Sequence, residues 1–188
     1  LKIKSATNVT PIKSVMAMGC PDYDMTPQQM AKATSPHHVI QHEDISSKLA
    51  MRGDDTRGNW HAIPATRNEV ANIAAIARAH GAKVCTFTDA QATEEAFKAL
   101  DGHAPDALHI ATHGFAINTM QQYDNSPFAQ SRTAFTPNGN YMMWSGLVLA
   151  GGNNAWQCKP LPKGVEDGIL TADEISRLDL SHTRLVVL

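Results

Sequence analysis

A histidine and a glycine at the end of an apolar run are the residues of this sequence best placed for chemistry. His113 and Gly114 directly follow residues 107–112, which read as a buried parallel strand. Open α/β sheets assemble their sites at the carboxyl ends of such strands, and imidazole suits proton transfer near neutral pH. Position alone does not make His113 catalytic, because a histidine in such a place is more often structural.

The three cysteines do not supply an obvious partner for this histidine. Cys20, Cys85 and Cys158 lack the CxxC spacing of a zinc or redox site and are too few for a disulfide framework. Cys85 lies within a predicted strand and reads as a small core residue, whereas the other two fall in loops after strands. We nominate none of them as a nucleophile, and we expect a reducing, cytoplasmic compartment.

Two other groups of residues invite a ligand interpretation. His37, His38 and His42 lie close together, but adjacent histidines cannot easily bind one ion, and no spacing here matches a closed metal site. Residues 151–154 follow a strand but lack the Lys-Ser/Thr of a phosphate loop, so we interpret them as a plain turn. The sequence therefore predicts no metal and no cofactor.

The composition excludes several classes of partner. With 188 residues and 43% hydrophobic content, the chain is long enough for one domain with a core. The net charge is −2 and the 16 Lys and Arg are scattered, which excludes nucleic acid and acidic membrane surfaces as expected partners. No apolar run approaches the roughly 18 residues of a membrane span.

The alternation of apolar runs with amphipathic stretches predicts an α/β fold. Such a pattern is typical of a mostly parallel central sheet flanked by helices. The predicted strands are residues 14–18, 83–87, 107–112, 145–150 and 184–188.

Three helices are predicted from their first turns. Capping boxes at Thr66 and Thr171 each place a Glu three residues after the Thr, and Thr93 precedes two acidic residues. The first helix has an apolar stripe (Val70, Ile73, Ala74, Ala77) and should end at Gly81. The others should run to about Leu100 and Leu178.

Two polar segments show no regular hydrophobic periodicity of a helix or a strand. Residues 20–59 and 118–141 are read as loop insertions, the second lying over the edge of the sheet, where it gates a site.

Three ordered segments carry a family resemblance. They are HIATHG at 109–114, SGLVLA at 145–150 and DGILTADEI at 167–175, and they resemble the pattern of the CHAT domain family. Residues 63–70 look like the family's entry to its first helix, and residues 14–21 resemble the family pattern more weakly. The resemblance therefore covers 63–188 and leaves 20–59 outside.

The resemblance implies a caspase-like fold and a Cys-His dyad of a cysteine endopeptidase, with His113 as its histidine. A thiol with a pKa of about 8.5 is mostly protonated at neutral pH, so an imidazole must stabilise the thiolate and later protonate the leaving amine. The amide of Gly114 would point at the carbonyl oxygen as it gains charge, although this glycine can also simply turn the chain.

In the family the cysteine follows the last predicted strand, which puts it two or three residues past Leu188. The expected unit is therefore one caspase-like CHAT domain, residues 1–188, truncated before its nucleophile and inactive alone. The alternative is a catalytically silent CHAT-like module that binds a regulatory partner. A cysteine at that place in the parent protein would favour the peptidase.

The resemblance also implies partners. The substrate would be a peptide or protein, and a preference for a basic residue before the cut would need an acidic pocket, with Asp167 or Asp173 as candidates. Trp144 and Trp156, near strand ends, are candidates for the pocket wall. A helical-repeat regulatory region is a further expected partner.

Overall fold

The molecule is an α/β structure with a parallel sheet and a smaller antiparallel sheet. This computed structural model describes residues 10–34, 58–116, 141–157 and 159–188. In chain order the strands are β1 (Ser14–Pro21), β2 (Lys83–Asp89), β3 (Ala107–Ala111), β4 (Gly114–Ala116), β5 (Ser145–Val148), β6 (Ile169–Thr171) and β7 (Leu185–Val187). The helices are α1 (Pro27–Thr34), α2 (Ala65–Ala79), α3 (Glu94–Lys98), α4 (Gly152–Trp156) and α5 (Ala172–Ile175).

The central sheet has four parallel strands in the order β2-β1-β3-β7. Val15 of β1 lies opposite Ala107 of β3, which in turn lies opposite Leu185 of β7. All four strands therefore end at the same edge of the sheet. The predicted α/β class, with a mostly parallel central sheet flanked by helices, is confirmed and is consistent with a caspase-like fold.

The small sheet consists of β4, β5 and β6, which pair antiparallel in that order. The strand predicted at 145–150 is therefore present as β5, but it ends at Val148 and belongs to this second sheet. A Cβ on Gly146 would overlap the carbonyl oxygen of Leu170, so the close approach of β5 and β6 requires a glycine.

Apolar side chains cover both faces of the central strands. Met16 and Met18 of β1 pack with Phe97 of α3, whereas Val70 of α2 lies over Gly19 on the other face. Because strands covered on both faces cannot alternate polar and apolar residues, β1 reads as a continuous apolar run, and β3 does so apart from His109. Leu108, Ile110, Leu149 and Leu170 belong to the same core cluster.

Helix α2 begins two residues earlier than the predicted cap at Thr66 implies, and its capping box is absent. The N-cap is Pro64, which provides no side-chain cap. The hydroxyl of Thr66 instead donates to the carbonyl of Ile63 and accepts from the amide of Cys20, each at 2.8 Å. The predicted cap is wrong because Thr66 lies within the first turn, where its hydroxyl ties the helix to the end of β1.

The rest of that helix follows the prediction. Val70 and Ala74 are buried, and Gly81 has a φ of +80°, the left-handed conformation expected just past the end of a helix. Within the described residues, no helix is both long enough and apolar enough to cross a membrane.

Three short helices complete the fold. The hydroxyl of Thr93 caps α3, and Thr171 forms the predicted capping box with Glu174 at α5. Both helices end earlier than predicted, at Lys98 and Ile175. The third helix, α4, stands where the sequence predicts a plain turn.

The segment read as a polar insertion contributes to the core at its start. Tyr23, Met25 and Met30 are buried, and the last of them lies in α1. His37, His38 and His42 lie outside the described residues, as does most of 118–141.

Candidate active site

His113 follows β3 at the edge of the sheet where the parallel strands end. Its side chain is half-buried between two aromatic rings, with ring centroids 5.4 Å away for Tyr23 and 5.2 Å for Trp60. The aromatic cluster continues through Trp156 to Phe115, at 5.0 and 5.5 Å. The imidazole is therefore part of a cluster of packed aromatic rings.

The ring of His113 has one nitrogen engaged by the backbone. Its Nε2 lies 2.8 Å from the carbonyl oxygen of His61. A carbonyl can only accept, so Nε2 carries the proton in this contact and the neutral ring keeps its lone pair on Nδ1. The arrangement leaves Nδ1 as the nitrogen able to take a proton.

A directed chain of hydrogen bonds fixes the backbone beside this ring. The amide of His113 donates to the Tyr23 hydroxyl at 3.4 Å, the Tyr23 hydroxyl pairs with Thr112 Oγ1 at 2.8 Å, and that hydroxyl donates to the carbonyl of Val148. Burial raises the pKa of Tyr23, so its hydroxyl remains protonated and able to donate. The end of β3 is thus held against β5.

Gly114 is the first residue of β4, the edge strand of the small sheet, and it is exposed. The amide of Val148 donates to the carbonyl of His113 at 2.9 Å, and hydrogen-bonded pairs alternate along an antiparallel ladder. Gly114 and Leu147 therefore form a non-hydrogen-bonded pair, and the amide of Gly114 points away from β5.

Packing does not explain why residue 114 is a glycine. A Cβ there would meet its nearest atoms at 3.6 and 3.8 Å, which are ordinary contacts, and the φ of Gly114 is not left-handed. The turn explanation for Gly114 is thus weakened.

The second histidine of the same motif has a different environment. His109 is buried within β3, and its Nε2 lies 3.1 Å from Glu69 Oε1 on α2. It packs between sheet and helix.

The two described cysteines lie in strands of the central sheet. Cys20 lies within β1 rather than in a loop, is buried, has a φ of +49° and contacts Arg67 at 3.9 Å. Cys85 is exposed, so its prediction as a core residue is wrong, because β2 is an edge strand. Both thiols are free, and Cys158 lies outside the described residues.

A buried charged cluster, which the sequence did not predict, joins three segments. Lys98 Nζ lies 2.7 Å from Glu94, 2.9 Å from Glu166 and 2.8 Å from Glu174. These three carboxylates have the spacing of a cation site, but the ammonium group already occupies its centre. The only local sequence signal was the i,i+4 spacing of Glu94 and Lys98.

The cluster contains more carboxyl groups than cations. Burial and the nearby charges shift the pKa values of its members. Burial raises the pKa of Asp167 to about 7, and burial together with the Asp167 charge raises the pKa of Glu94 well above its usual range. Burial opposes the charge of Lys98, but Glu94 and Glu174 outweigh it and raise the Lys98 pKa. The cluster therefore holds a proton on its carboxylates near neutral pH.

The two candidates for an acidic pocket are both engaged. Asp167 is buried, with Oδ1 accepting from the amide of Ile169 at 2.8 Å. Asp173 pairs with Arg177 at 2.7 Å. Their part in substrate selection remains a prediction.

Comparison with known proteins gives one match. The family model described as CHAT domain matches residues 3–188, including the segment 20–59 that the motif resemblance left out. No curated protein and no solved structure matches the chain.

Proposed function

The chain belongs to the CHAT domain family, a caspase-like family related to peptidases, and from that premise we propose a cysteine endopeptidase function. In this proposal the chain forms the larger part of the catalytic domain. His113 acts with a cysteine that follows β7, and the amide of Gly114 binds the developing oxyanion.

The register between β3 and β7 is the observation that carries the proposal. Leu108 lies opposite Val186, and His109 lies opposite Val187. Continued at the same offset, His113 lies opposite the third position past Leu188. A cysteine at that position would emerge from the neighbouring strand at the same edge of the sheet.

The geometry of His113 suits this chemistry. Nδ1 accepts the thiol proton, the thiolate attacks the peptide carbonyl, and the imidazolium then returns the proton to the leaving amine. Water hydrolyses the resulting thioester with the same imidazole as base. The carbonyl of His61 stabilises the imidazolium through Nε2–H.

The reaction also requires a hydrogen-bond donor for the developing oxyanion, and the amide of Gly114 suits this role. An acyl-transfer site needs a preorganised donor where the carbonyl oxygen gains charge. The amide of Gly114 points outward from the small sheet one residue from His113, and the absence of a side chain leaves room for the substrate.

We further propose a peptide or protein substrate and a cytoplasmic location. Reducing conditions protect a nucleophilic thiol from oxidation, and the free thiols of Cys20 and Cys85 agree with such a compartment. A helical-repeat region is the proposed regulatory partner.

The test is cleavage of a pool of fluorogenic peptides by the full-length parent protein. Loss of a general acid-base residue costs about 100-fold or more, so His113→Ala should abolish cleavage. The matched control is His103→Ala, since His103 is exposed and its ring nitrogen Nδ1 lies 3.1 Å from the carbonyl oxygen of Asp101.

Two results would count against the proposal. Cleavage that survives in His113→Ala would remove His113 from the mechanism. Absence of cleavage by the wild type under every activating condition would favour the silent partner-binding module.

A further inference from the structure

A buried asparagine clamps the segment that holds His113. Asn153, the second residue of α4, accepts from the amide of Trp60 through Oδ1 at 2.9 Å and donates from Nδ2 to the carbonyl of Trp60 at 3.0 Å. One side chain thus binds both backbone polar groups of the residue before His61. We call residues 59–61 the strap.

The clamp is rigid because all of its polar groups are engaged. Asn153 is 2% exposed, and its Nδ2 also donates to Asp24 Oδ1 at 2.7 Å. Its backbone amide donates to the carbonyl of Tyr23 at 3.1 Å. An amide buried with this set of partners has a fixed rotamer and cannot flip without losing them.

The strap has further attachments to the same helix. Gln157, which follows α4, donates from its side chain to Asn59 Oδ1. The ring of Trp60 packs edge-on against Trp156 at 5.0 Å. Helix α4 therefore determines where the strap lies over the sheet edge.

The strap in turn acts on His113 twice. The carbonyl of His61, one residue past the clamped Trp60, accepts from Nε2 of His113 at 2.8 Å, and the ring of Trp60 lies against the imidazole. The first contact selects which nitrogen carries the proton, and the second restricts the rotation of the ring.

We propose that Asn153 is a positioning residue for His113, acting through the strap to hold the His61 carbonyl that fixes the imidazole tautomer. The catalytic consequence rests on the proposed peptidase function, but the tautomer does not. Without the clamp, the His61 carbonyl moves away from Nε2, and the ring samples both tautomers and other rotamers.

The helix offers a matched control in Asn154. It is also buried, and its Nδ2 donates to the carbonyls of Met25 and Gly151 at 2.7 and 3.0 Å, without touching the strap. Asn153→Ala and Asn154→Ala each remove a buried, hydrogen-bonded amide from one helix. If Asn153 only supports the fold, the two substitutions should change the His113 tautomer equally. If Asn153 positions His113, only Asn153→Ala should change it.

The experiment measures the ring nitrogens of His113 by NMR in the full-length protein labelled with 15N-histidine. His113 is assigned by its absence in His113→Gln. The spectra are recorded at a pH above the end of the observed imidazole titration, where the two 15N shifts report the tautomer. We expect Nε2–H in the wild type and in Asn154→Ala, and a mixture in Asn153→Ala.

Peptide cleavage gives an independent second measurement. Misplacement of a catalytic group by about 1 Å can cost about 100-fold. Asn153→Ala should lower kcat by up to about that factor with KM little changed, and Asn154→Ala should leave kcat near the wild-type value.

Wild-type shifts in Asn153→Ala, or equal changes in both variants, would overturn the proposal. If Asn153→Ala does not fold, Asn153→Ser replaces it, because the hydroxyl keeps a polar group at this buried position but is too short to bind both the amide and the carbonyl of Trp60. The same tautomer mixture is then expected. The wild type could show no peptide cleavage while its His113 tautomer changes in Asn153→Ala and not in Asn154→Ala. That result would contradict the peptidase function but support the positioning role of Asn153.

Discussion

Lys98 Nζ lies 2.8 Å from Glu174 Oε1, and this contact joins α3 to α5 through a buried ion pair. The same ammonium group contacts Glu94 and Glu166, so one cation lies against three carboxyl groups. Residues that are far apart in the chain are thereby held beside the core.

Lys98→Met should strongly destabilise the protein. Removing one partner of a buried ion pair leaves uncompensated charge, which costs about 3–5 kcal/mol. Chemical denaturation gives the free energy of unfolding. The control is Lys32→Met, an exposed lysine at the end of α1, for which we expect a change within about 0.5 kcal/mol. Equal losses in the two variants would refute the account of the cluster.

Asp167 should make stability fall as pH rises toward neutrality. Burial raises its pKa to about 7 from 3.8, so between these values the folded state binds a proton that the unfolded state has lost. The free energy of unfolding therefore decreases from about pH 4 to about pH 7, by about 1.4 kcal/mol for each pKa unit at most. The raised pKa of Glu94 acts with the same sign.

Asp167→Asn should flatten this dependence. Its Oδ1 keeps the hydrogen bond from the amide of Ile169, and the side chain no longer titrates. Denaturation at several pH values from 5 to 8 measures the slope for wild type, Asp167→Asn and the exposed-site control Asp22→Asn. Parallel curves for wild type and Asp167→Asn would exclude Asp167 as the titrating group.

Gly114→Ala should separate folding from activity. Because a Cβ at this position makes only ordinary contacts, the free energy of unfolding should change by no more than about 0.5 kcal/mol. Peptide cleavage should fall by about tenfold or more, since the methyl group obstructs the approach of the substrate to the amide. Full activity in Gly114→Ala would remove this residue from the site.

Gly146→Ala provides the opposite case. Its Cβ would overlap the backbone of β6, so overpacking should cost about 1–3 kcal/mol. A thermal or chemical denaturation series that includes both glycine variants distinguishes a glycine required by packing from one required by a substrate.

The sequence predicted the elements that depend on local pattern. The apolar stripe of α2, the end of that helix at Gly81 and the capping box at Thr171 are set by residues within a few positions of one another. The strand before His113 was equally predictable from the sequence, because a strand buried on both faces is mostly apolar, and only His109 departs from that pattern in β3.

Features built from distant segments were not predictable in the same way. Thr66 looked like a cap, but its hydroxyl is used by the amide of Cys20 on another element. The charge cluster brings together Lys98 and Glu166, whose pairing depends on tertiary structure. Asn153 resembled a turn residue because asparagine favours turns, whereas its real partner is the backbone of Trp60.

Covalent labelling of the full-length parent protein tests the Cys-His dyad most directly. A peptidyl acyloxymethyl ketone alkylates an activated thiolate, and tandem mass spectrometry then identifies the modified residue. We expect modification of a cysteine at the third position past Leu188, and its loss in His113→Ala but not in His103→Ala. Absence of a cysteine there, or labelling only of Cys20, Cys85 or Cys158, would contradict the account.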